Sequence, residues 1–146
     1  MRVRVIFFEG GSDLMEKAFE IRRKVFIEEQ KVSEEDELDG KDPESLHALL
    51  EVNGKYVGVS RIRRIGKGIF KIERVAILKE ERGKGYGRFL MKEVERELVS
   101  RGAKKLVLNA QIQVKGFYER LGYEVKGEIF YEANIPHVRM EKVVER

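Results

Sequence analysis

At 146 residues the chain has room for one domain with a sizeable core and little space for another. Hydrophobic residues make up 42% and charged residues 38%, and cysteine is absent, which excludes a disulfide framework, a thiolate metal site and a cysteine nucleophile. The net charge of +4 is a small surplus of 30 basic over 26 acidic residues; the two signs are interspersed and the longest like-charge run, Glu34-Glu35-Asp36-Glu37, is acidic, which disfavours a nucleic-acid face.

Residues 2–8 alternate Arg and Val and then turn apolar, which reads as a first strand ended by Gly10-Gly11. Asp13 and Glu16 have the spacing of a capping box, and Leu14, Ala18, Ile21 and Val25 mark one face of a helix. The polar stretch from Lys31 to Pro43 reads as a loop or a short irregular helix. Leu46–Val52, Tyr56–Ile65 and Ile69–Leu78 follow as strands. Asn53-Gly54 between the first two is a strong hairpin signal, because both residues tolerate positive φ, and Gly66-Lys67-Gly68 separates the second and third. Residues 85–101 are helical, with Leu90, Met91, Val94, Leu98 and Val99 on the inner face and Lys92, Glu93, Glu95 and Arg96 toward water. Gly102 stands where a helix closes. Leu106-Val107-Leu108 is a short buried strand, and Val114, Phe117, Tyr118 and Leu121 mark a further helix ended by Gly122. Tyr123–Val125, Ile129–Tyr131 and Val138–Val144 complete the chain as strands. The order β-α-loop-β-β-β-α-β-α-β-β predicts an α+β fold, a mixed sheet with helices on both faces, in a single domain spanning 1–146.

The most informative stretch runs from Ile72 to Gly87. A strand leads through Lys79-Glu80-Glu81 into Arg82-Gly83-Lys84-Gly85-Tyr86-Gly87, where a helix begins. Glycine lets a ligand approach the backbone, and the unpaired N–H groups of a first helical turn attract anions. Arg82 and Lys84 add positive charge. The spacing reads as a pyrophosphate cradle; the plainer reading is a tight strand-to-helix turn. A Walker A loop is excluded, because no Lys-Ser or Lys-Thr follows the last glycine. A dinucleotide fingerprint fits worse, because this loop follows a meander rather than a first strand.

Arg82-Gly83-Lys84-Gly85-Tyr86-Gly87 resembles the Arg/Gln-x-x-Gly-x-Gly/Ala signature of the GNAT superfamily of acetyl-CoA-dependent N-acyltransferases. The order of elements is similar to that superfamily's fold over nearly the whole chain. Asn109-Ala110-Gln111 and Phe117-Tyr118-Glu119-Arg120-Leu121-Gly122-Tyr123 resemble its fifth strand and the helix after it. Val25-Phe26-Ile27-Glu28-Glu29-Gln30 and Ile135-Pro136-His137 resemble the ElaA-like branch, with Asn134 where a Gly usually precedes Ile-Pro-His. Asn also tolerates left-handed geometry.

The resemblance implies acetyl-CoA as cosubstrate and an amine as acceptor, with no metal. It implies that the amides of Gly83, Lys84, Gly85, Tyr86 and Gly87, with the Arg82 side chain, hold the pyrophosphate. Backbone groups of Val75, Ala76 and Ile77 would pair with the pantetheine arm as an added strand, with Asn109 and Phe117 beside it. Tyr118 would be the general acid for the departing thiolate, although its place on a face with Val114 and Leu121 also suits a core tyrosine. Glu73, a carboxylate within an apolar strand, would be the base through water; the alternative is an ion pair with a neighbour such as Arg74. The Val75 N–H would stabilise an oxyanion, and transfer would be direct. Phe26, Glu28 and Gln30 would border the acceptor pocket, with His137 facing it.

Two rival readings stand beside the enzyme: a CoA-binding sensor or inert homologue, and a small basic nucleic-acid-binding protein. No apolar run approaches the roughly 20 residues that cross a membrane, and the amino terminus is too short for a signal peptide, so the expectation is a cytoplasmic protein. Members of the superfamily often dimerise, which leaves a homodimer open.

Overall fold

The computed structural model describes residues 1–144, so residues 145 and 146 of the expected domain lie outside it. Its strands are β1 (Val3–Glu9), β2 (Leu46–Val52), β3 (Lys55–Gly66), β4 (Ile69–Ile77), β5 (Lys105–Gln111), β6 (Glu124–Glu132) and β7 (Ile135–Val143), joined in one sheet of order β1-β2-β3-β4-β5-β7-β6. The helices are α1 (Met15–Arg22), α2 (Glu34–Glu37), α3 (Tyr86–Ser100) and α4 (Lys115–Arg120). All pairings are antiparallel except that of β4 with β5, so the sheet is mixed, as the order of elements predicts.

Strand β2 is covered on both faces, which is why it reads as a continuous apolar run rather than an alternating one. Ala48 and Leu50 point into a core built with Leu90, Met91, Val94 and Leu98 of α3. Leu49, between them, points the other way into a core with Met15, Ala18 and Ile21 of α1. Period-2 alternation along a strand therefore places α1 and α3 on opposite faces.

Several local expectations are corrected. Asp13 and Glu16 form no capping box; α1 starts without a side-chain cap, and Ser12 Oγ instead accepts from the Leu14 N–H at 3.1 Å. Beyond α1 the chain continues as a π-wound segment, Arg23–Glu29, in which the Gln30 N–H reaches back to the Val25 carbonyl. Glu95 of α3 does not face water. It is buried, accepting from the Tyr123 hydroxyl at 2.7 Å and the Lys142 ammonium at 3.0 Å. Tyr123–Val125 and Ile129–Tyr131 are not separate strands, because a register shift around Gly127, at φ +90°, keeps the line of β6 unbroken. Asn134 does take the left-handed conformation, at φ +63°, beside Ala133 at +51°, in the tight β6–β7 turn.

The stretch 31–43 is ordered by buried charge. Ser33 caps α2 by accepting from the Asp36 N–H at 3.0 Å. The acidic run is therefore no solvated tail: Glu37, only 2% exposed, bonds to Arg22, and Arg22 also donates to Asp42 at 2.7 Å. Arg61 of β3 joins Asp39 at 2.8 Å and Asp42 at 3.2 Å. Through Arg61 of β3, and through Arg74 of β4, which donates to the Glu37 carbonyl at 3.1 Å, this network ties the loop to the sheet.

Candidate active site

β4 and β5 pair only at Ile69, Phe70 and Lys71, opposite Lys105, Leu106 and Val107. Past that point they part, and the edge of β4 from Ile72 to Ile77 finds no partner in β5. On its other side β4 carries a bulge: Val59 pairs with Ala76 and Arg61 with Glu73, so Ser60 alone stands opposite Arg74 and Val75. Arg74 takes φ +53°, uncommon for a side-chain-bearing residue. The parted strands open a cavity of about 880 Å³. Val75, Ala76, Ile77, Asn109, Phe117 and Tyr118 all line it.

The glycine bend lies at the mouth. Gly83 and Gly85 take φ +79° and +83°, and a Cβ on either would meet nothing within 4 Å. The bend is exposed from Arg82 to Gly85. Among the described residues no hydrogen bond engages the amides from Gly83 through Arg88; the first to close onto the helix is the Phe89 N–H to the Gly85 carbonyl, at 3.1 Å. These free donors fit an anionic group, with the start of α3 behind them. The Arg82 side chain points elsewhere than expected. Its Nε donates to the Ile77 carbonyl at 2.9 Å and its fork grips Glu29 at 2.6 and 2.8 Å, because that carboxylate faces it across the cavity. The Lys84 side chain turns to Glu81 at 3.1 Å.

Tyr118 is 8% exposed, its ring set edge-on to Phe117 and Tyr123, and burial pushes its hydroxyl up. It belongs both to the core and to the cavity wall, so the two readings of this residue are not exclusive.

Glu73 also lines the cavity, but its partner is not Arg74. Arg63 holds it at 2.7 Å, Arg61 at 3.0 Å and Lys71 at 3.2 Å, while Arg74 turns to Glu37 at 2.8 Å. Burial alone would push the Glu73 carboxyl up; the Arg63 hydrogen bond and the charges of Arg61 and Lys71 overcome it and hold it down at about 2. So depressed a carboxylate is a weak proton acceptor. Its pairing stabilises the fold fully above the unfolded value, 4.5, and that contribution is lost as pH falls toward about 2. Glu73→Gln is expected to flatten this part of the acid limb, read as urea midpoints from pH 6 to 2.5 that fall less steeply than in wild type.

On the far wall Phe26, Glu29 and Gln30 line the cavity, whereas Glu28 does not. Glu28 is exposed and pairs with Arg23 at 3.6 Å; the π-wound turn puts Glu29 inward in its place. His137 lines the same wall. Sequence reasoning missed Glu29, Gln111 and Glu132. Gln111 was within reach, two residues past Asn109 on a strand, and it donates to Gln30 at 2.9 Å. Glu132 accepts from Asn109 at 3.3 Å.

The seven-stranded mixed sheet with its helices has the fold of the acyl-CoA N-acyltransferases. Residues 12–144 match the family model for the acetyltransferase (GNAT) domain; the chain belongs to that family and is an acyltransferase. It is 40% identical over 133 residues to the uncharacterized N-acetyltransferase YjcF of Bacillus subtilis, covering 90% of this chain and 94% of that protein. The crystal structure of Escherichia coli ElaA superposes with a TM-score of 0.84 at 23% identity, covering 97% of this chain and 99% of that one. A GNAT acetyltransferase of Elizabethkingia anophelis with acetyl-CoA bound superposes at 0.74, at 14% identity, covering 97% and 98%.

Proposed function

We propose that the protein transfers the acetyl group of acetyl-CoA directly to the amine of a small molecule or a protein, as a single catalytic domain of the cytoplasm. The observation that carries this reading is the row of unpaired amides at the exposed bend, set at the mouth of a slot between parted strands. Acetyl-CoA supplies an activated thioester and a thiolate leaving group. The amides of Gly83, Lys84, Gly85, Tyr86 and Gly87 hold the pyrophosphate. The free edge of β4 at Val75, Ala76 and Ile77 pairs with the amide-bearing arm, and Asn109 and Phe117 flank it. The Val75 N–H, at the bulge, steadies charge developing on the carbonyl oxygen.

Tyr118 donates its proton toward the leaving sulfur. The low-dielectric surroundings that push up its hydroxyl push up a thiol beside it too, so donor and acceptor stay matched. Glu73, ionised throughout, orients an ammonium or a water rather than keeping a proton. Phe26, Gln30 and Glu29 shape the acceptor wall.

The test is a turnover screen with acetyl-CoA over polyamines, amino acids, aminoglycosides and peptide amines, with product mass as readout. Acetylation of an amine supports the reading; acetyl-CoA binding with no product from any of them would turn it toward a CoA-binding sensor. Tyr118→Phe is expected to lower kcat about a hundredfold while leaving the Kd for acetyl-CoA within a few-fold of wild type, measured by steady-state kinetics and calorimetry.

A further inference from the structure

Proton acceptance from the amine is the task the depressed Glu73 carboxylate leaves open, and the cavity holds a second group suited to it. His137 lies on β7, across the ladder from Gln111 of β5 and Phe130 of β6. Its ring is 7% exposed and stacks on Phe130 with centroids 5.9 Å apart. The Nδ1 atom lies 2.7 Å from the Ile135 carbonyl oxygen. A carbonyl only accepts, so Nδ1 carries the hydrogen, and the neutral ring keeps its lone pair on Nε2. Nε2 has no partner among the described residues, and the ring lines the cavity.

The neighbourhood suits a cation. Around the cavity Glu29 is paired with Arg82, Glu37 with Arg74 and Glu73 with Lys71. Asp36 and Glu132 also line it, and their carboxylates have no cationic partner among the described residues; Arg74 meets Asp36 only at the backbone carbonyl, at 3.3 Å. Arg139, two residues along the same face of β7, is tied to Glu141 at 3.0 Å. Toward β5 the neighbour is the neutral Gln111, which bridges to Gln30 of the acceptor wall. His47 offers no such site: it is fully buried, its Nε2 is bound to the Asp42 carbonyl, and it lies outside the cavity lining.

We propose that Nε2 of His137 is the base that takes the proton from the ammonium group of the acceptor. This rests on the acyl-transfer reading above. The proton passes from nitrogen to Nε2, leaving a neutral amine and an imidazolium, which returns it to solvent through the cavity mouth. As the C–N bond forms and the C–S bond breaks, the nitrogen sheds a second proton, matching the one taken by the departing sulfur.

Two measurements test it. Imidazole ¹⁵N spectra of the protein alone are expected to show His137 as the Nδ1–H tautomer; a dominant Nε2–H tautomer overturns the proposal. His137→Asn keeps an N–H at the Nδ1 position, and His137→Gln puts a non-basic amide at the Nε2 position. With the best amine from the screen, both variants are expected to lose about a hundredfold in kcat/KM at pH 7 while binding acetyl-CoA within threefold of wild type. Their rates then climb about tenfold per pH unit, as free amine from solution replaces the missing base. Wild-type rates and an unchanged pH profile overturn the base, as does a fall in acetyl-CoA affinity that accounts for the lost rate. A wild type that acetylates no amine overturns the transferase reading and the base together.

Discussion

Gly87→Val is expected to leave the protein folded and raise the Kd for acetyl-CoA about a thousandfold, or about 4 kcal/mol. Gly87 lies in the first turn of α3, without the positive φ of Gly83 and Gly85, so a side chain there strains no backbone. A Cβ would sit 3.4 Å from the Phe117 ring and 3.9 Å from Ile77 Cγ1, within the cavity rather than behind it. Alanine fits that contact with a small adjustment. The second methyl layer of valine stands against the free amides and holds a diphosphate away from them. Two charge-assisted hydrogen bonds at about 1.5–3 kcal/mol each account for the loss. Calorimetry reads the affinity. The melting temperature reads it independently, because the rise that acetyl-CoA gives to wild type vanishes in the variant. A Gly87→Val protein that binds acetyl-CoA normally would remove the bend from the cofactor site, and Gly87→Ala, expected to cost tenfold or less, separates steric filling from mere loss of glycine.

The order of elements along the chain and the bend were legible in the sequence because both rest on local signals. Asn53-Gly54 marked one hairpin, short apolar runs between turn residues marked most strands, and alternating glycines at a helix start marked exposed amides. What escaped the sequence depended on contacts between distant segments. The Arg82 fork turns to Glu29, 53 residues earlier in the chain, which no spacing rule connects. Glu73 was visible as a carboxylate in an apolar strand, but its partners Arg61 and Arg63 lie across the β3–β4 ladder and shift register at the bulge. Placing Glu29 rather than Glu28 on the cavity wall required the π-wound turn, which breaks the 3.6-residue period used to read helix faces. Glu95 looked solvent-facing by the same periodicity, and only the arrival of Tyr123, just before β6, and of Lys142 from β7 makes its burial tolerable.

Arg22→Met is expected to cost about 3–5 kcal/mol of stability and to lower the melting temperature by about 10 °C. Arg22 is 1% exposed, and losing its guanidinium leaves the buried Glu37 and Asp42 carboxylates short of charge. Arg74 still reaches Glu37 at 2.8 Å and Arg61 still reaches Asp42 at 3.2 Å, which holds the cost near the lower figure. An exposed pair is the control: Arg4→Met breaks the contact with Glu51 and is expected to cost less than about 1 kcal/mol. The pH dependence discriminates further. In wild type, burial pushes Asp42 up but the Arg22 and Arg61 guanidiniums overcome it and hold it low, so its contribution is lost as pH falls. Without Arg22, burial dominates and the folded state binds protons more tightly than the unfolded one, so stability is regained on acidification. The gap between variant and wild type therefore narrows below about pH 5. A gap that stays constant from pH 7 to 4 would mean that the cost comes from lost packing around the Arg22 stem, not from uncompensated charge. The same network ties α2 to Arg74 at the β4 bulge, so a loosened loop is also expected to raise KM for the amine more than for acetyl-CoA. Buried charge that steadies the fold thus also shapes the cavity, which Glu37 and Arg74 both line.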